Sequence, residues 1–299
     1  MTTTPTTKTK LCGIWGRPYI DLSPFIDTSA FAAIDDEMTY ALSRLESTYT
    51  GGSLKWMGVV APWVHADPYA DYGHVIEGFS RDEFARFVSL ADHPDEIDLD
   101  RQHDYVFGDE TDHPLSRAQM LWLKHRHGVY FPWKVCYHLL HDEHWEDKHS
   151  GAGKDFTDEA KRELPKTVEL VRSLPFREIG RCVVFGIEAN DHAPAHRDSE
   201  PGQALHIPHS ISFVPGKKKR FYLCDPEGES VAVVDAPIYW FNDMDYHGVL
   251  PDPFFRYSVR VDGVFAPEFL RRLESARARD VRDVRDVTER RANEEDTVR

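Results

Sequence analysis

Between residues 179 and 261 the chain becomes a succession of short segments rich in β-branched and aromatic residues, and this restricts the fold more than any other feature. The segments are 181–187, 203–213, 219–224, 230–234, 238–241 and 255–261. Turn-forming residues separate them: Asn190-Asp191, Pro215-Gly216, Pro226-Glu227-Gly228 and Asp235-Ala236-Pro237. A buried strand needs only a few residues, and Gly, Pro, Asn and Asp supply the backbone angles that reverse it. Six or more such strands close most readily as two packed antiparallel sheets. The expected class is mainly β with α: a double-stranded β-helix, that is, a cupin-like jelly roll, with flanking N-terminal helices.

The rest of the chain divides around that core. Residues 1–10 are Thr-rich and lack an apolar run, so they read as a disordered lead rather than a secretory signal. Residues 11–156 read as an N-terminal α/β portion. Within it, 28–47 has apolar residues at helical spacing, and 54–60 is a short apolar strand. Ser80 and Glu83 form a capping box before another helix. Residues 93–115 are acidic and suit a long loop or lid, and the aromatic run 120–140 follows. The charged segment 141–156 reads as a flexible loop. The catalytic-core reading spans 157–266 and opens with a helix over 157–174 that Pro165 must kink or delay. In the polar tail, 267–299, opposite charges nearly cancel, so it reads as a solvated helix or disordered end.

A net charge of −15 argues against a nucleic-acid binder, which needs a basic footprint. No apolar run reaches the ~18 residues of a membrane span. Cys12, Cys136, Cys182 and Cys224 are scattered without a paired motif, which fits reduced thiols in a cytoplasmic protein.

His196 and Asp198 stand two apart on β-rich sequence, so they point to one face. His247 follows 49 residues after Asp198 and can return on an adjacent strand. Two imidazoles and one carboxylate hold Fe(II) and leave other positions open. Arg256 and Ser258 are again two apart, and an Arg there suits a carboxylate-bearing cosubstrate beside the metal; Arg260 reads as the better candidate for a surface salt bridge. Among 16 histidines the competing readings are plain ones. His138, His141 and His144 read as a polar helix face, and His125 and His127 as a solvated loop. The face of His206 is open. The same triad would also serve a cupin-type zinc or manganese hydrolase or isomerase, or it could be incidental to a non-catalytic binding jelly roll.

The segment 164–264 resembles the Fe(II)/2-oxoglutarate-dependent oxygenases, especially the aspartyl/asparaginyl β-hydroxylase-like branch that includes free amino-acid hydroxylases. The likeness lies in Leu164-Pro165-Lys166-Thr167-Val168, Arg181-Cys182-Val183-Val184, Ala193-Pro194-Ala195-His196, Trp240-Phe241-Asn242, His247-Gly248-Val249 and Arg256-Tyr257-Ser258-Val259. It implies His196, Asp198 and His247 as iron ligands, Arg256 and Ser258 on the far carboxylate of 2-oxoglutarate, and O2 as the oxidant. It also implies His209, six residues before Pro215, on the near carboxylate. The name-giving hydroxylases carry Gly where Asp198 stands, so the full triad is similar to the wider superfamily. Halogenating relatives use a small residue there, so the resemblance implies hydroxylation or desaturation. The expected substrate is a polar small molecule, an amino acid or a peptidyl residue, selected by the first 155 residues.

Overall fold

The computed structural model describes residues 11–45, 59–60, 72–108, 113–131, 135–141, 147–198, 207–216 and 219–278. The lead 1–10, the Arg-Asp-Val repeats after 278, His144 and His206 lie outside them. In chain order the first half contains β1 (Tyr19–Asp21), α1 (Phe31–Leu42), β2 (Val59–Val60), α2 (Gly73–Glu77), α3 (Arg81–Val88), α4 (Arg117–His127), β3 (Val129–Tyr130) and β4 (Val135–His138). The second half contains α5 (Asp158–Glu163), α6 (Pro165–Ser173), β5 (Phe176–Ile187), β6 (Ala193–His196), β7 (His209–Phe213), β8 (Phe221–Cys224), β9 (Val231–Val233), β10 (Ile238–Phe241), β11 (Tyr246–Val249) and β12 (Arg256–Phe265).

Local chemistry explains the helix ends. Ser80 and Ser116 each accept from a backbone N–H three residues on, while Glu83 and Gln119 reach back to the cap. These reciprocal bonds satisfy donors that a first helical turn leaves open. α4 stops at Gly128, whose φ of 69° is left-handed and costs a glycine little. Pro165 divides the expected helix into α5 and α6 and occupies the first position of α6, where its missing N–H is no loss.

Two antiparallel sheets form a jelly roll. The larger runs β1-β10-β7-β12-β5-β4 and the smaller β6-β11-β8-β9. Period-2 alternation gives the large sheet two different faces. Cys182, Val184, Ile211, Phe213, Val259 and Val261 join α1 and α6 in one apolar core. The opposite face holds Val183 and Ile187, which pack with Ala193 and Val249 between the sheets. Residues 72–131 build a separate aromatic core around Phe84, Phe87 and Phe107, with Trp122 against it. Most aromatic rings of that region are therefore committed to packing.

Several sequence expectations change. His138 ends a strand paired to β5, and His141 follows it in a loop, so the helical spacing of 138, 141 and 144 is coincidental. His125 and His127 lie in the last turn of α4, and His127 is 4.7 Å from the rings of both Phe79 and Trp122. The start of the tail is not solvated throughout: 267–278 is helical and buries Phe269 and Leu273 in the main core. β5 also starts earlier than expected, because its first residues pair with the end of β12 across a register shift at Asp262/Gly263. A Cβ on Gly263 would collide with the Glu178 carbonyl and crowd the Phe176 ring. Gly263→Ala is expected to cost about 1–3 kcal/mol and lower the thermal midpoint by roughly 3–10 °C. An unchanged midpoint in a thermal-shift assay would contradict this register.

Candidate metal centre

β6 and β11 pair so that His196 lies directly opposite His247, which places both rings on one face. Asp198 follows β6 at once, and its backbone N–H donates to the Asp243 carbonyl at 3.0 Å, which fixes the turn. Asp198 Oδ1 lies 4.0 Å from His196 Nε2 and 3.6 Å from His247 Nε2. The three donor atoms all lie within 4.8 Å of one another. A first-row ion held at about 2.1 Å sets neighbouring donors about 3 Å apart, so the three donors stand somewhat wider than a bound ion would hold them.

Each imidazole is oriented for that task. Nδ1 of His196 meets the Pro194 carbonyl, and Nδ1 of His247 meets the Asp245 carbonyl, both at 2.9 Å. A carbonyl only accepts, so Nδ1 carries the proton and Nε2 keeps its lone pair for a ligand. Burial, aided by His247, pushes the His196 pKa down to about 4, so the ring is neutral at pH 7. Burial alone would raise the pKa of Asp198, but His247 and then Arg260 hold it well below the usual carboxylate range. His247 is buried, whereas Asp198 keeps 29% of its side-chain surface and marks the open side. Two imidazoles and one carboxylate fit a divalent first-row ion with free positions.

The turn before His247 is braced from the N-terminus. Asp245 accepts from the N–H groups of Cys12 and Gly13 at 2.6 and 2.7 Å, and Asn242 donates to the Gly13 carbonyl.

Arg256, Ser258 and Arg260 share the inner face of β12, opposite Ile187, Phe185 and Val183. Their environments differ. Arg256 is buried, and its two terminal nitrogens donate to the carbonyls of Glu188, Asp191, Leu250, Asp252 and Phe254. Those carbonyls take up the fork expected to face a diacid, so Arg256 here clamps the loops at 188–191 and 250–254. Ser258 instead accepts from buried Lys219, whose Nζ lies 2.7 Å from its Oγ and 3.2 Å from the Phe185 carbonyl. Burial, with Arg256 adding repulsion, pushes the Lys219 pKa down to about 7. His209 faces away: it shares the outer face of β7 with Ile211 and Phe213, stacks on Phe265 at 4.5 Å, and its Nδ1 accepts from the Phe265 N–H. The expectation that it meets a near carboxylate fails on strand parity.

Arg260 is not at the surface, because β12 is central, between β5 and β7. Its guanidinium bonds Asp198, Asp243 and Asp262. Lys148 joins Arg260 on Asp243 Oδ2 at 2.7 Å, and Arg181 bonds Asp262 Oδ2 at 2.7 Å. Sequence reasoning missed these partners and Lys219. The i, i+2, i+4 spacing of Arg256, Ser258 and Arg260 was the usable signal for Arg260. Lys219 opens the expected strand 219–224 at the end of a run of three lysines, and nothing in that run singles it out.

No family profile matches the sequence, and no curated protein does. Solved structures share features at low scores. An oxidoreductase of the 2OG-Fe(II) oxygenase family from Burkholderia pseudomallei is 14% identical over 42% of this chain and 66% of that chain, just under two thirds, with a TM-score of 0.28. A Pseudomonas putida prolyl-4-hydroxylase is 12% identical over 44% of this chain and 72% of its own, with a TM-score of 0.27. A cupin domain from Bordetella pertussis is 11% identical over 27% and 78%, with a TM-score of 0.21. Scores this low place no weight on any neighbour; the two sheets and the triad stand on the geometry above. The chain is a jelly roll that brings a His-x-Asp pair and a distant His together at one metal-sized site.

Proposed function

We propose that this protein is a non-haem Fe(II) dioxygenase that uses 2-oxoglutarate to hydroxylate an unactivated C–H bond of a polar small molecule. The observation that carries the reading is the convergence of His196 Nε2, Asp198 Oδ1 and His247 Nε2, with both Nδ1 atoms tied to carbonyls. Iron with 2-oxoglutarate and O2 would supply the oxidising power, releasing succinate and CO2.

The residues of the chain divide the work. The triad holds the metal and leaves one side open. Lys219 and Ser258, on the inner face below Arg260, offer a charged donor and a hydroxyl to the far carboxylate. Arg256 shapes the loops beside them. Charge balance favours an anionic cosubstrate: Asp198, Asp243 and Asp262 are matched by Arg260, Lys148 and Arg181, and buried Arg256 and Lys219 add positive charge beyond these. An unbalanced buried charge is costly, so a divalent ion calls for two compensating negative charges.

A hydrolytic zinc or manganese site would use the same triad but gives Lys219 and Ser258 no ligand to hold. Within the oxygenases, the Pro194-x-His196 pattern favours the aspartyl/asparaginyl-like branch. The substrate would then be an amino acid or a peptidyl residue. Part of 93–156 would line its entrance; Lys148 already reaches Asp243 from that segment. All four cysteines are free thiols, which suits a reducing cytoplasm, and no helix among the described residues is long and apolar enough to cross a membrane. The test is succinate release by the Fe(II)-loaded protein across panels of amino acids and short peptides. Stimulation by one chemical class supports the reading; release from none of them, with no uncoupled turnover, refutes it.

A further inference from the structure

We infer that Arg260 is a positioning residue that holds Asp198 to a single ligating oxygen and so keeps three metal positions open. This rests on the metal reading above and adds a determinant of how many sites remain free. Asp198 Oδ1 faces the two histidines, while Oδ2 is bonded to Arg260 Nη1. A carboxylate with both oxygens free can chelate an ion and occupy two positions. With one oxygen committed to a guanidinium it supplies only one.

The guanidinium is itself fixed. Nε donates to Asp262 Oδ1 at 2.9 Å and Nη2 to Asp243 Oδ2 at 3.0 Å. Those two anchors set the plane of the fork, so Nη1 has one direction left, toward Asp198. The anchors also neutralise the arginine, which can then orient a metal ligand without strongly repelling the cation. Asp262 and Asp243 are held in turn by Arg181 and Lys148. The guanidinium carbon lies 5.3 Å from the Phe241 ring centre, and that ring meets His247 edge-on at 5.0 Å. The same side chain thus braces two of the three ligands. A lysine would retain the charge but not the planar fork.

The consequence concerns the cosubstrate. A 2-oxo acid binding through two atoms, with O2 beside it, needs three open positions. Two protein nitrogens and a chelating carboxylate would leave only two in a six-coordinate site.

Co(II) is the probe, because its visible absorption reports coordination number and it is stable in air. Wild type and Arg260→Lys are titrated with Co(II), then with 2-oxoglutarate, after circular dichroism and thermal unfolding show the sheets intact. The expected result is a 10- to 100-fold weaker Co(II) affinity in Arg260→Lys, a changed band intensity, and at least a roughly tenfold loss of 2-oxoglutarate affinity. Because the charge is retained, that loss belongs to geometry. Matching Co(II) spectra and affinities in the two proteins would overturn the role of Arg260. If Arg260→Lys fails to fold, Asp243→Asn loosens the Nη2 anchor while leaving the Asp198 side chain in place, and is judged by the Co(II) band intensity, since its lost charge also shifts affinity; an unchanged band would overturn the role of Arg260. If 2-oxoglutarate leaves the wild-type spectrum unchanged while Arg260→Lys still alters Co(II) binding, the cosubstrate reading falls and the role of Arg260 stands. If 2-oxoglutarate perturbs the wild-type spectrum and Arg260→Lys matches it, the reverse holds.

Discussion

Asp198→Ala is expected to weaken Fe(II) or Co(II) binding by at least ~100-fold, beyond the 10- to 100-fold typical of losing an outer partner, and to abolish turnover. Asp198 supplies the charged donor of the triad, and the remaining two imidazoles cannot hold a labile ion against water. The fold should survive, because Arg260 keeps Asp243 and Asp262. His138→Ala provides the contrast. His138 ends β4 and is not one of the three donors, so its loss should leave metal affinity unchanged. Isothermal titration of both variants checks the pair. Equal affinity in Asp198→Ala and wild type would remove the carboxylate from the site.

Lys219→Met is expected to weaken 2-oxoglutarate binding by about 30- to 1000-fold, the equivalent of roughly 2–4 kcal/mol for a buried charge-assisted pair. Metal affinity should hardly change. The pH dependence gives a second, independent signature. Lys219 has a pKa near 7 in the free protein against an ordinary 10.5, because burial disfavours its charge. A carboxylate arriving beside it favours the charged form and raises that pKa, so binding takes up a proton. Affinity should therefore be full below pH 7 and fall above it, by about tenfold between pH 6 and pH 8. Arg256, its cationic neighbour, and the neutral Ser258 and Phe185 around it do not titrate in that range. Folding stability moves the other way: between pH 7 and 10.5 the unfolded chain binds more protons at this residue, so its penalty on folding diminishes as pH rises. Binding measured from pH 6 to 9 should lose this slope in Lys219→Met. If Lys219→Met binds as wild type does while Arg256→Ala does not, the far carboxylate belongs to Arg256.

The jelly roll was legible because period-2 segments between turn residues leave few alternatives, and β10 appeared where 238–241 suggested. The triad was legible because His-x-Asp on a strand has a defined geometry, and the register His196↔His247 realises it. What a local pattern cannot see is which residues beyond a strand will occupy a side chain. Arg256 and Ser258 do share the inner face, as their spacing requires, yet the folded loops present five carbonyls to Arg256. Arg260 was misplaced for want of strand order: a strand written as an edge has a surface, and a central one has none. Parity also decides against His209, since Ser210 and Ser212, not His209, lie on the parity of Arg260. The aromatic run 120–140 gives no sign of its partners: Phe131 and Trp122 pack with Phe84, Phe87 and Phe107, while Tyr137 joins the main core.

An anaerobic titration of the Fe(II)-loaded protein with 2-oxoglutarate, followed in the visible range, tests the central claim most directly. The account predicts a metal-to-ligand charge-transfer band that saturates at about one equivalent, persists in His138→Ala and is missing in Asp198→Ala. Iron that binds the triad but gives no such band would contradict the cosubstrate and leave a different metal enzyme; iron that does not bind at all would contradict the site itself.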